Sequence, residues 1–181
     1  LLFMVNYFVS KDKSFLLYSL YLFFVTLYYA NRLPFLINFY NNLEPKLYYY
    51  VNQITHIINI GLYVYFVVYF LDFKSNFPRV YSFSKKMLWG ITLFGLLYSV
   101  LMIAYPFFPF RFLAMDLFRA IFTVLSLGIF IYIMFKKPNL VATIILIGSL
   151  LLIIGNVIAL LVGDFTFFLK MVVVEIVIFS A

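Results

Sequence analysis

The side chains that could do chemistry in this chain are few, and they interrupt stretches that are otherwise apolar. Asn52, Gln53, Thr55, His56 and Asn59 fall in a run from about Leu47 to Leu71. Asn52, His56 and Asn59 are spaced four and three apart, which places them on one helical face. Asp116 and Arg119 lie in the run Phe112 to Phe135, Asn156 in Leu140 to Val162, and Lys170 and Glu175 in Phe165 to Ala181. With one histidine and no cysteine, a three-ligand zinc site is poorly supplied, and no second feature supports haem. A proton relay through His56 and Glu175 is physically permissible but has no other support. There is no Gly-rich phosphate loop, no nucleophile elbow and no catalytic carboxylate pair. These residues therefore read as ligand or switch candidates, with no catalytic residue, metal or cofactor expected.

The elements that must position them follow from composition. Hydrophobic residues make up 67% of the chain and charged residues 10%, and the mean hydropathy is +1.12. Soluble domains carry about 25% charged residues, so lipid is the expected solvent for most of this chain. Apolar stretches separated by polar breaks give seven segments: Leu1 to Val9, Phe15 to about Ala30, about Leu47 to Leu71, Met87 to Tyr105, Phe112 to Phe135, Leu140 to Val162 and Phe165 to Ala181. Backbone exposed to lipid must satisfy its own hydrogen bonds, and barrel-type alternation is absent, so the segments read as helices. The fold expected is an all-α polytopic membrane bundle of seven helices, the first truncated and the last ending at the chain terminus. Residues 1–181 read as one transmembrane domain with no linker dividing it, and its opening and closing inside apolar runs read as a fragment.

The breaks differ in chemistry. Asn31 to Lys46 is long and rich in Asn, with Pro34 and Pro45. Pro106-Phe107-Phe108-Pro109 denies a helix two backbone donors and predicts a turn. Lys136-Lys137-Pro138-Asn139 and Gly163-Asp164 are tight connections. Tyr crowds the segment ends at Tyr28, Tyr29, Tyr48, Tyr49, Tyr50 and Tyr105, where its ring suits the headgroup region. Gly148, Gly155 and Gly163 fit helix packing better than a site.

Basic residues give an orientation. The breaks after segments one, three and five hold eight: Lys11, Lys13, Lys74, Arg79, Lys85, Lys86, Lys136 and Lys137. The alternate breaks hold three, Arg32, Lys46 and Arg111. Positive residues favour the cytoplasmic side, so the expected topology puts Leu1 outside the cytoplasm and Ala181 inside it. The net charge of +7 is then an orientation signal, and nucleic acid is not an expected partner.

At about 1.5 Å per residue, Asp116 and Lys170 fall roughly 6 Å inside the outer boundary, with Arg119 and Glu175 at roughly 10 and 14 Å. Matched depths suggest the facing pairs Asp116–Lys170 and Arg119–Glu175. A polar cluster in the outer half is the result, and ionisable groups in hydrocarbon normally face a bundle interior or a wet cavity. The bland reading stands beside it. Such groups also merely join helices, at well under about 1 kcal/mol per contact, and Lys170 and Arg119 can snorkel.

Three stretches together resemble one family. They are Ser14-Phe15-Leu16-Leu17-Tyr18-Ser19-Leu20-Tyr21-Leu22, the junction Phe70-Leu71-Asp72-Phe73-Lys74 through Phe77-Pro78-Arg79, and Val174-Glu175-Ile176-Val177-Ile178-Phe179-Ser180-Ala181. They resemble the second helix, the helix three–four junction and the final helix of bacterial seven-transmembrane receptors with diverse intracellular signalling modules. The resemblance implies a sensor module with a β-rich domain before it and a histidine kinase or diguanylate cyclase after it. The Asn- and Tyr-rich stretch Asn31 to Tyr50 departs from that pattern.

Two other classes stay open. A transporter would need polar residues through the whole depth, with broken helices near the midplane, whereas polarity here crowds into the outer half. An enzyme acting on lipid would want several His or acidic residues at one interface, and the cytoplasmic side offers mainly lysines and Asp72. The partners expected are the bilayer, a small-molecule ligand or extracytoplasmic domain, and a second copy of the chain.

Overall fold

A computed structural model of the chain describes residues 7–31, 33–105, 110–136 and 140–162, apart from the side chains at 45, 141, 152, 155, 156 and 158–162. Every regular element among the described residues is helical. Residues 7–10 are helical, and then come α1 (Lys13–Ala30), α2 (Pro34–Leu43), α3 (Pro45–Phe70), α4 (Phe73–Asn76), α5 (Pro78–Ala104), α6 (Arg111–Phe135) and α7 (Leu140–Val162). The chain divides into two compact units, Leu1–Pro109 and Phe110–Ala181.

Local chemistry sets the helix starts. Asp12 caps α1, its carboxylate accepting from the Ser14 N–H at 2.8 Å. That hydrogen bond satisfies one of the donors a helix N-terminus leaves open. Pro34, Pro45 and Pro78 each begin a helix, where the missing N–H costs nothing and the fixed φ suits the first turn. The corner between α3 and α5 is made by Asp72 in the left-handed region, at φ 41°. Ser75 donates through its hydroxyl to the Asp72 carboxylate. Asn76 donates through its side chain to the Leu71 carbonyl at 2.9 Å, and Phe73 is buried beneath the turn.

In the first unit α3 is central and packs against α1, α2 and α5. The α1–α3 seam is an aromatic ladder. Tyr28 lies 4.9 Å from His56, Tyr21 lies 5.2 Å from Tyr63 and Tyr18 lies 5.1 Å from Phe66, ring centre to ring centre. Each step back along α1 is matched by an equal step forward along α3, which is one antiparallel register. The α3–α5 seam is built differently. Ile57 presses on Gly95, and a Cβ placed there would meet Ile57 Cγ2 at 3.1 Å; Ile91 presses on Gly61, at 3.4 Å. Small residues let helix backbones approach closely in lipid, where no hydrophobic force drives association. In the second unit α6 packs with α7; Met115, Phe118, Ile133, Ala142, Ile145 and Leu146 are buried.

The outward surface is apolar too. Along α5 Trp89, Leu93, Leu96, Val100 and Ile103 are exposed, while Val80, Met87, Ile91, Tyr98 and Met102 on the other side are buried. Water does not tolerate that much contiguous apolar surface. Lys13–Ala30, Lys46–Phe70, Pro78–Ala104 and Arg111–Phe135 are each long and apolar enough to cross a membrane, and Ala142–Leu151 is a shorter apolar stretch. Hydroxyls on these helices turn back on their own backbone. Ser19, Thr26, Thr55, Thr92, Ser99 and Ser149 each donate to the carbonyl four residues earlier, at 2.6–3.0 Å.

Three features correct the sequence reading. Asn31 to Lys46 reads as a polar break, yet Pro34–Leu43 is a helix; its Asn residues line one side of it. Segment four starts at Pro78, not Met87. A helix of 27 residues is about 40 Å long, longer than the roughly 30 Å hydrocarbon core, so its first turns carry Arg79, Lys85 and Lys86 beyond the apolar run. Tyr28 reads as a headgroup anchor, yet it is 5% exposed and its ring packs at a tilt against that of His56. The predicted count of seven spans is not reached by the described residues. Segment seven, the Pro106–Pro109 turn and the connection at 137–139 lie outside them.

Candidate functional site

The end of the first unit where α1 stops and α3 starts is Asn-rich; the opposite end carries Lys11, Lys13, Lys74, Arg79, Lys85 and Lys86. At the Asn-rich end, α3 turns one stripe toward α1: Asn52, His56 and Asn59, continuing into Tyr63 and Phe66. The spacing predicted this shared face, and the aromatic ladder fixes which neighbour it meets. His56 occupies the ladder position against Tyr28, so its ring is held by a tilted ring contact, worth about 0.5–1.5 kcal/mol for an aromatic pair.

Three amides on this helix are left with work to do. The side-chain oxygens of Asn52, Gln53 and Asn59 are buried and find no hydrogen-bond partner among the described residues. Asn52 and Asn59 share the stripe, while Gln53 stands about a quarter turn away from Asn52. Thr55, beside them, is buried but satisfied by the Val51 carbonyl at 2.6 Å. A buried acceptor without a donor costs on the order of 1–3 kcal/mol, so these oxygens favour anything that brings N–H or O–H groups.

Asn31 closes the end of α1. It is fully buried, and its side-chain oxygen accepts from the Tyr40 hydroxyl at 3.0 Å. Its amide nitrogen finds no acceptor among the described residues. Three residues beyond Tyr28, the α1–α3 register brings Asn31 level with Gln53. Tyr40 reaches in from α2, its ring 6.3 Å from that of Tyr48 on α3. Sequence reasoning missed Asn31, Tyr40 and the Tyr28 ring contact. The missed signal was Pro34 followed by apolar residues at helical spacing, which announces α2 and brings Tyr40 back over α1.

The remaining candidates divide by location. Asp116 and Arg119, in the second unit, pair with each other on α6 at 3.5 Å, one turn apart and on a partly exposed face. Lys170 and Glu175, the partners that matched depths suggest for them, lie outside the described residues, as does the side chain of Asn156 on α7. Arg111 at the start of α6 lies over the Phe112 ring at 4.7 Å, and Lys136 at its end sits 5.8 Å from the Tyr132 ring. Among the described residues no three His, Asp or Glu side chains gather as a metal set.

The arrangement supplies hydrogen-bond acceptors, one unused amide donor and an imidazole packed against a tyrosine ring, on helices that lead away to the Lys-rich end. It suits holding a polar group or shifting a helix. Among curated proteins and among solved structures, nothing matches this chain. The family model for 7TM diverse intracellular signalling does match, over residues 1–181. An apolar helical chain whose whole length fits that model belongs to the 7TM diverse intracellular signalling family.

Proposed function

We propose that this chain receives a signal at its Asn-rich end, on the outer side of a bacterial inner membrane, and passes it to a cytoplasmic output domain of the kinase or cyclase type. The observation that carries the reading is the match of residues 1–181 to a signalling family. The eight-against-three split of basic residues between alternate breaks supports the orientation. Within the chain, the reception point is the stripe Asn52, His56 and Asn59 with Asn31 and Tyr40, and its ligand is a polar group that donates hydrogen bonds. Buried acceptors discriminate strongly, because a molecule without donors leaves them unpaired.

Reporter fusions at Ser75 and Lys137 should read as cytoplasmic, and one at Asn41 as external. A cytoplasmic signal from Asn41 overturns the orientation and the reception point with it. In the full-length protein, Asn52→Leu and Asn59→Leu remove the acceptors and should fix the output at one level, at normal expression. Wild-type switching in both variants would move reception elsewhere in the chain.

A further inference from the structure

The helix that the sequence hides, α2, is neither a span nor a loop. Ten residues make about 15 Å of helix, half the roughly 30 Å needed to cross. It lies between the end of α1 and the start of α3, so the chain leaves one span and enters the next through it. No charged residue occurs between Leu33 and Leu43. Laid out at about 100° per residue, α2 has three sides. Leu36, Ile37 and Tyr40 are half-buried on the side turned to α3. Phe35, Phe39 and Leu43 form an adjoining apolar side that is 66%, 55% and 63% exposed. Asn38, Asn41 and Asn42 form the third, polar side, also exposed.

We infer that α2 is an in-plane helix seated in the lipid interface, with Phe35, Phe39 and Leu43 in the acyl boundary and the Asn side toward headgroups and water. An amphipathic helix at a bilayer surface buries its apolar side about 5–10 Å into that boundary. The occupant is lipid, because α2 joins the end of one candidate span directly to the start of the next and holds an uncharged, exposed apolar side there. Leu33 is exposed at the foot of α2, and Phe23 and Leu20 are exposed along α1. The polar side carries amides and no lysine or arginine, so the seat depends on apolar burial and not on anionic headgroups. Tyr40, on the side turned to α3, donates its hydroxyl to Asn31, so the lipid seat of α2 is tied to the buried end of α1.

The test uses the whole chain in phosphatidylcholine vesicles. Trp89 is the one native tryptophan, and Trp89→Phe clears the background. Phe39→Trp or Asn41→Trp then places a single reporter on either side of α2. With Phe39→Trp, emission should shift to the blue, be quenched by phosphatidylcholine brominated near the top of the acyl chain, and ignore aqueous iodide. Asn41→Trp should do the reverse. Phe35→Trp repeats the first pattern if Phe39→Trp folds poorly, and native Trp89, exposed on α5, confirms insertion by its own quenching. Equal responses from the two sides, or iodide quenching from the Phe side, overturn the inference. Shielding of the Phe side from both quenchers overturns it as well, in favour of a protein partner covering α2.

Discussion

Tyr40→Phe removes one oxygen, and its cost tests whether α2 is tied to the bundle. The Tyr40 hydroxyl donates to Asn31 at 3.0 Å, and Asn31 is 0% exposed. A neutral hydrogen bond contributes about 0.5–1.5 kcal/mol net, and a buried acceptor left unpaired costs about 1–3 kcal/mol. Contacts of this kind between membrane helices average about 0.6 and reach about 1.7 kcal/mol. Because the other end of the Asn31 amide already lacks a partner among the described residues, Tyr40→Phe strands the whole amide. The expected loss is therefore at the upper end, about 1–2 kcal/mol, or roughly fivefold to thirtyfold in the folded ratio. The assay is reversible unfolding of the chain in mixed micelles by titrated denaturing detergent, with a double-mutant cycle. Asn31→Ala removes the stranded group, so Tyr40→Phe on that background should cost almost nothing. Equal costs of Tyr40→Phe in both backgrounds would refute the tie, whatever the absolute values.

Other outcomes follow from the same packing. Tyr28→Ala loses the ring contact with His56 and a buried ring and should destabilise by about 3–5 kcal/mol, whereas His56→Phe keeps the contact and should retain stability in the same titration. Gly128→Ala, inside α6 with nothing within 4 Å, should stabilise by about 0.5–1 kcal/mol through helix propensity, while Gly95→Ala drives a methyl to 3.1 Å from Ile57 and should cost about 1–3 kcal/mol of overpacking. Arg119→Gln separates two readings of that charge. If its partner is only Asp116 on the exposed side of α6, the loss is about 0.3–0.5 kcal/mol. A loss of about 3–5 kcal/mol, rescued in part by Glu175→Gln, would identify Glu175 as its buried partner.

Much of the architecture was legible because lipid imposes one rule, that long apolar runs be helices, and α1, α3, α6 and α7 obey it close to their predicted limits. The single face shared by Asn52, His56 and Asn59 was legible for the same reason, since helical spacing alone decides it. What faces that stripe was not. Tyr28 could have been an interfacial anchor or a core ring, because α1 is apolar all round and only packing selects the buried side. The start of α5 was hidden by Arg79, Lys85 and Lys86, which read as loop charges although they sit on helix that projects past the hydrocarbon. α2 was hidden by its asparagines: four in the stretch 31–42 look like a loop until Pro34 is read as a helix start.

The paired contacts between α3 and α5 have a directional consequence. Each helix offers an isoleucine followed four residues later by a glycine, Ile57 with Gly61 and Ile91 with Gly95, and the antiparallel arrangement seats each isoleucine on the other helix's glycine. Slide one helix by a turn in one direction and Ile57 meets Ile91, two branched side chains competing for one space. Slide it by a turn the other way and Gly61 meets Gly95, leaving a hollow with no side chain to fill it. Either displacement is opposed, the first by collision and the second by lost contact, so the joint behaves as a detent. Piston motion between α3 and α5 is thereby disfavoured.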